Sequence, residues 1–137
     1  MTDSKTENSS SEKISKGLDI AKKMFDESII DSLEASIGST QFGVHRRQLA
    51  TEFVLGTIWS RPGLDLRARS LVTLGILIAQ GQMDELKIHL VTAVRNGCSV
   101  EEVEEVLYHS AAYAGLPAAN RAAHVATEVF KQSGLIE

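Results

Sequence analysis

Five polar residues, Gln82, Glu85, His89, Thr92 and Asn96, follow one another at spacings of three, four, three and four. On an α-helix these positions fall on a single stripe. Met83, Leu86, Ile88, Leu90 and Val91 border it, so Glu85 and His89 are set among apolar neighbours. There, a carboxylate one turn away favours imidazolium while burial favours neutral imidazole, and the competition tunes His89 as a proton donor near working pH. An ordinary i,i+4 pair or a structural histidine would show the same spacing. The other histidines are His45 beside Arg46 and Arg47, His109 one turn before Tyr113, and His124 one turn after Asn120. None has HxxxH or HExxH spacing, so no metal site is expected. No glycines group as GxGxxG or GxxxxGK, so no nucleotide fingerprint is present and no cofactor is implied. Cys98 is a lone thiol without a CxxC partner, which reads as a bystander. Arg61, Arg67 and Arg69 lie close in sequence and need anions, either the chain's own Glu52 and Asp65 or a substrate carboxylate.

The elements that position these residues read as helices. Residues 1–11 are polar and Ser-rich, with too little apolar area to offset the entropy of ordering them, and are expected as a disordered tail. Residues 12–137 are expected as one domain. From Ile14, the residues Leu18, Ala21, Phe25, Ile29 and Leu33 recur at helical spacing and predict a first helix that ends near Gly38. A second, carrying Leu49, Phe53 and Ile58, runs to about Ser60 and stops at the Arg61-Pro62-Gly63 turn. Asp65 is placed to cap a third, whose segment Leu71–Ala79 is apolar on nearly every side. A chain this short hardly surrounds such a helix with its own mass, so part of that surface is expected to meet another subunit. A fourth helix runs from Gln82 to Asn96 and ends on Gly97. Ser99-Val100-Glu101-Glu102 reads as a capping box opening a fifth. Gly115-Leu116-Pro117 closes that one and starts a sixth, Ala-rich helix. No alternation of period two occurs, so the class is all-α with about six helices.

With 137 residues, 43% apolar and 23% charged, the composition is that of an ordinary globular protein. A net charge of −4 with scattered Lys and Arg argues against nucleic acid as a partner. No apolar run reaches the roughly 18 residues of a membrane span, and the N-terminus lacks a secretory apolar core. A cytoplasmic location is expected, with no membrane partner.

Several segments together resemble successive landmarks of the carboxymuconolactone decarboxylases. They are Thr57-Ile58-Trp59-Ser60-Arg61-Pro62-Gly63-Leu64, Arg69-Ser70-Leu71-Val72-Thr73, Glu85-Leu86-Lys87-Ile88-His89-Leu90, Asn96-Gly97 and Tyr113-Ala114-Gly115-Leu116-Pro117-Ala118-Ala119-Asn120. The likeness spans about residues 17–130. It implies the helical fold shared with the AhpD-type hydroperoxide reductases and a homo-oligomer, a trimer or hexamer. It also implies a cofactor-free reaction on a small carboxylated lactone, in which 4-carboxymuconolactone loses CO2 to give the β-ketoadipate enol-lactone in aromatic catabolism. On this resemblance His89 delivers the proton or donates to the enolate, Glu85 orients it, and Arg61 or Arg69 receives substrate carboxylates. Thr57, Tyr113 and Asn120 complete the pocket. Typical members carry Trp-Gly-Glu where this chain has Leu55-Gly56-Thr57, and many carry Gln in place of His109. The thiol peroxidase alternative is disfavoured, because Gln82 and Glu85 stand where the AhpD-type CxxC would place its thiols. An isomerase or hydrolase of a related lactone and a non-catalytic assembly protein are the other readings.

Overall fold

The computed structural model describes residues 3–137, with side chains from residue 6 onward. The described chain is helical throughout: α1 (Asp3–Met24), α2 (Glu27–Ser36), α3 (His45–Leu49) continued without a break by a π-helix (Ala50–Trp59), α4 (Leu66–Gln80), α5 (Met83–Arg95), α6 (Val100–Ala114) and α7 (Leu116–Gln132). The all-α class is as the sequence implies. The chain gathers into two compact units, one ending at Gly63 and the other spanning Leu64–Glu137. Their junction is the Arg61-Pro62-Gly63 turn.

In the first unit α1 packs along the π-helix, and two glycines set how closely. A Cβ at Gly17 would stand 2.0 Å from the Thr51 carbonyl oxygen, and one at Gly56 would stand 2.0 Å from that of Lys13. Backbone therefore touches backbone where the two helices cross. Helix α1 begins at Asp3, within the segment expected as a tail, while residues 1 and 2 lie outside the described residues. Once downstream turns are nucleated, each added residue costs little, and the Glu12–Lys16 pair one turn apart adds support. The expected first helix is also split. Asp26 adopts an extended backbone and its carboxylate accepts from Ile29 N–H, which ends α1 and caps α2.

The π-helix overturns a second expectation. Its wider turns, visible in the Ser60 N–H bond to the Leu55 carbonyl five residues back, defeat a period of 3.6. Thr51, Leu55, Gly56 and Trp59 are buried, while Leu49, Phe53, Val54 and Ile58 face outward, Phe53 at 59% exposure.

The second unit follows its local signals closely. Asp65 accepts from Ala68 N–H at 2.7 Å, Gly81 and Gly97 take positive φ after α4 and within the α5–α6 turn, and the Ser99–Glu102 capping box is closed in both directions. Helices α4 to α7 bury Leu74, Ile78, Leu86, Leu90, Val103 and Phe130 in a common core. Val72 and Ile76 on α4 remain about half exposed, the leftover apolar surface that the sequence anticipates.

The close crossing in the first unit has a measurable consequence. Because the opposing atoms are backbone and have no rotamer to yield, Gly56→Ala should destabilise by about 1–3 kcal/mol or more. A denaturant midpoint equal to that of the wild-type protein would contradict the crossing.

Candidate active site

Helix α5 carries the Glu85-His89 pair. Its Leu86, Leu90 and Ala93 point into the core, which fixes the rotation of the helix and leaves Glu85 in solvent and His89 half-buried at the edge. Thr92, next on the stripe, is buried and returns its hydroxyl to the Ile88 carbonyl at 2.9 Å. The stripe thus descends from solvent at Glu85 to the interior at Thr92. Burial lowers the His89 pKa below the ordinary imidazole value, and the Glu85 carboxylate partly opposes it. The two expected influences are both present, and desolvation is the larger. Neutral imidazole is therefore the resting form at neutral pH.

Asn96 ends this stripe at the C-cap of α5. Its Nδ2 donates to Ser70 Oγ at 3.0 Å across the α4–α5 seam, and its Oδ1 is buried without a protein hydrogen-bond partner. Such an acceptor costs about 1–3 kcal/mol. Ser70 is not among the candidates that the sequence singles out. Its signal was a hydroxyl on the buried side of an otherwise apolar helix.

The three arginines separate by role. Arg67 bonds the Glu102 carboxylate, whose other oxygen accepts from Ser99 N–H at 2.9 Å, so Arg67 serves the α5–α6 turn. The chain's own acid thus claims this one of the three. Arg69 lies on α4 beside Ser70 with its Nε buried, whereas Arg61 is exposed in the turn that ends the first unit. Thr57, also of the first unit, turns its hydroxyl back onto the Glu52 carbonyl at 3.0 Å.

Tyr113 is 84% exposed and packs its ring against His109, with centroids 5.0 Å apart. Asn120 lines a groove of about 500 Å³ between α6 and α7. A second cavity, about 570 Å³, lies between α4 and α6 with His109, Glu105 and Ser110 on its wall. Hence Glu85 and His89 lie one turn apart on α5, close enough for the carboxylate's charge to act on the imidazole, and Asn96 is tied to Ser70. Arg69, Tyr113 and Asn120 occupy other places on the second unit, and Thr57 and Arg61 belong to the first. Among the described residues no three His, Cys, Asp or Glu side chains gather as a metal site. No helix among them is long and apolar enough to cross a membrane.

Cys98 sits in the core at 3% exposure, its thiol 3.6 Å from the Arg67 carbonyl. Burial pushes this thiol above its ordinary pKa, against the nearby Arg67 charge and together with Asp65.

The family model described as Carboxymuconolactone decarboxylase family matches residues 47–128. A 4-carboxymuconolactone decarboxylase of Acinetobacter baylyi is 40% identical over 120 residues, 87% of each chain. A nitrosuccinic acid decarboxylase of Metarhizium robertsii is 43% identical over 79 residues, 58% of this chain and 55% of its own. An uncharacterised 15.0 kDa protein of Paracoccus denitrificans is 29% identical over 83 residues, 59% of this chain and 62% of its own.

A buried, protonated thiol reacts slowly. Iodoacetamide at neutral pH should therefore label Cys98 in the native protein far more slowly than in denaturant, as intact mass would show. Equal rates in the two states would contradict its placement.

Proposed function

Because the chain belongs to the carboxymuconolactone decarboxylase family, we propose that it is a cytoplasmic, cofactor-free decarboxylase acting on 4-carboxymuconolactone or a close carboxylated lactone. The likeness to a 4-carboxymuconolactone decarboxylase along 87% of both chains carries this reading. The chemistry that such a substrate needs is modest. Its departing carboxylate sits on a ring carbon conjugated through C=C to the lactone carbonyl. When the C–C bond breaks, the electron pair flows through the double bond into that carbonyl as a dienolate, CO2 leaves, and one proton is added to ring carbon. Nitrosuccinic acid, in the second relative's name, likewise pairs carboxylates with a group that accepts electrons.

In this reading the protein holds two carboxylates, hydrogen-bonds the developing enolate oxygen and supplies the proton. His89 donates to the enolate and delivers the proton, Glu85 orients it, and Arg61 and Arg69 receive carboxylates, with Thr57, Tyr113 and Asn120 around the ring. His89 rests neutral, and a dianionic substrate beside it acts in the same direction as Glu85, raising its pKa so that a proton is taken up as substrate binds. The active form is a homo-oligomer, a trimer or hexamer of the 14.9 kDa chain.

The first test is CO2 release from 4-carboxymuconolactone by the wild-type protein, with a rate unchanged by a chelator. His89→Ala should lower kcat by about 10²–10⁴-fold with helicity intact, the range for loss of a general acid. The pH dependence has a defined sign. With its pKa depressed in the free protein, His89 is protonated only below the ordinary imidazole range, so kcat/KM should fall as pH rises through that lowered value. Glu85→Gln removes the group that opposes desolvation, so this limb should move to still lower pH. A limb that stays fixed or moves upward would detach Glu85 from His89.

A further inference from the structure

The first unit presents an apolar stripe that no described residue of that unit covers. Leu49, Phe53 and Ile58 succeed one another at four and five residues, with Val54 beside them, and all are exposed. Arg46 begins the stripe one turn before Leu49. It is exposed, and neither Arg46 nor the adjacent Arg47 makes an ion pair among the described residues. The second unit presents the opposite surface. The α6–α7 groove of about 500 Å³ is walled by Val103, Leu107, Leu116, Ala119, Ala123 and Phe130. At the start of α6 the groove is lined by Val100 and Glu104, with the exposed Glu101 between them in sequence. The Tyr108 hydroxyl donates to one Glu104 carboxylate oxygen at 2.6 Å, and Glu101 accepts from Ser99.

We propose that the α3–π-helix stripe of one copy docks in the α6–α7 groove of a second copy, with Arg46 and Arg47 against Glu101 and Glu104. An apolar ridge matches an apolar groove, and a basic end matches an acidic rim, which fixes the direction of docking as well as the partner. Both segments are 15 residues long, α3 and the π-helix with five and ten and α6 with fifteen. At helical rise each covers on the order of 20 Å. With the basic end at the start of α6, the far end of the stripe reaches the far end of α6. Thr57 and Arg61 of one copy thereby arrive beside Tyr113 and Asn120 of the other. Four residues that a single chain leaves in separate units become one polar pocket. The contact is head-to-tail, so repetition closes a ring when its rotation allows.

The pocket's role rests on the decarboxylase reading above, whereas the docking itself does not. Two measurements keep them apart. In sedimentation velocity, the pair Arg46→Glu and Arg47→Glu should shift the multimer toward the 14.9 kDa chain. So should the pair Glu101→Lys and Glu104→Lys, with helicity by circular dichroism unchanged in both. All four substitutions together should restore the multimer. Reversals that leave the mass unchanged would overturn the proposal, including the case where the stripe docks within its own chain. So would a fourfold variant that stays dissociated. For the shared pocket, Arg61→Ala and Asn120→Ala chains are co-expressed, and the mixed oligomers should recover decarboxylation that each variant alone has lost. Mixed oligomers as inactive as their parents would overturn the shared pocket. If the wild-type protein released no CO2 while the charge exchange still governed mass, the functional reading would fall and the docking would stand.

Discussion

The setting of His89 depends on the rotation of α5. Leu86, Leu90 and Ala93 have almost no exposure, and burying them against α4 and α7 fixes which side of the helix faces inward. His89 occupies the flank of that buried stripe, so its partial desolvation follows from hydrophobic packing. Each buried leucine contributes on the order of 2 kcal/mol, and a polar side chain on the helix edge is carried along by their sum. The histidine's pKa is thereby written into the core. Glu85, one turn earlier and in solvent, acts as a mild counterweight that a change of solvent or bound anion can reinforce.

A second constraint holds the frame around it. The Glu102 carboxylate serves two helices at once, capping α6 through Ser99 N–H and binding Arg67 near the start of α4. Because Arg67 also lends its carbonyl to the Cys98 thiol, the turn between α5 and α6 is tied to α4 at two points. That is why the arginine nearest the capping box is spent on structure. It also sets the surroundings of Cys98, whose neighbours are a carbonyl acceptor and the apolar core, with Asp65 offsetting the nearby Arg67 charge. A nucleophilic thiol needs the reverse arrangement.

Much of this was legible in the sequence because it is local. The Ser99–Glu102 box, the Asp65 cap, Gly97 and the Glu85-His89 spacing each depend on a few neighbouring residues, and each appears where expected. What escaped was set by contacts distant in sequence or by departures from the 3.6 period. Phe53 and Ile58 fit a helical face, yet the π-helix turns them outward, because its wider turns obey the fit of Gly56 against α1 and not the hydrophobic period. The Ser70–Asn96 bond spans 26 residues, so a hydroxyl on the buried side of α4 does not by itself name its partner. Asp26 broke the first helix although Phe25 and Ile29 continue its apolar spacing, since an Asx cap competes directly with helix continuation. The remaining pocket candidates lie apart along the chain, and spacing within short segments does not encode whether they meet.

The same crossing bears on how the segment Leu55-Gly56-Thr57 differs from the Trp-Gly-Glu of the family pattern. At Gly56 any Cβ meets the Lys13 carbonyl, so the glycine is required by backbone contact whatever the reaction. Position 57 is under no such demand. Its hydroxyl bonds the Glu52 carbonyl within its own helix, and the side chain is only half-buried. Fold and chemistry are thus separated by a single residue step: the glycine holds α1 and the π-helix together, while the next position is open to acid or hydroxyl. Threonine in place of a carboxylate leaves the crossing untouched and removes one negative charge from this surface, which in the decarboxylase reading proposed above would face a dianionic substrate. Electrostatic cost falls with it, since like charges a few ångströms apart in a partly desolvated setting repel by several times their value in water.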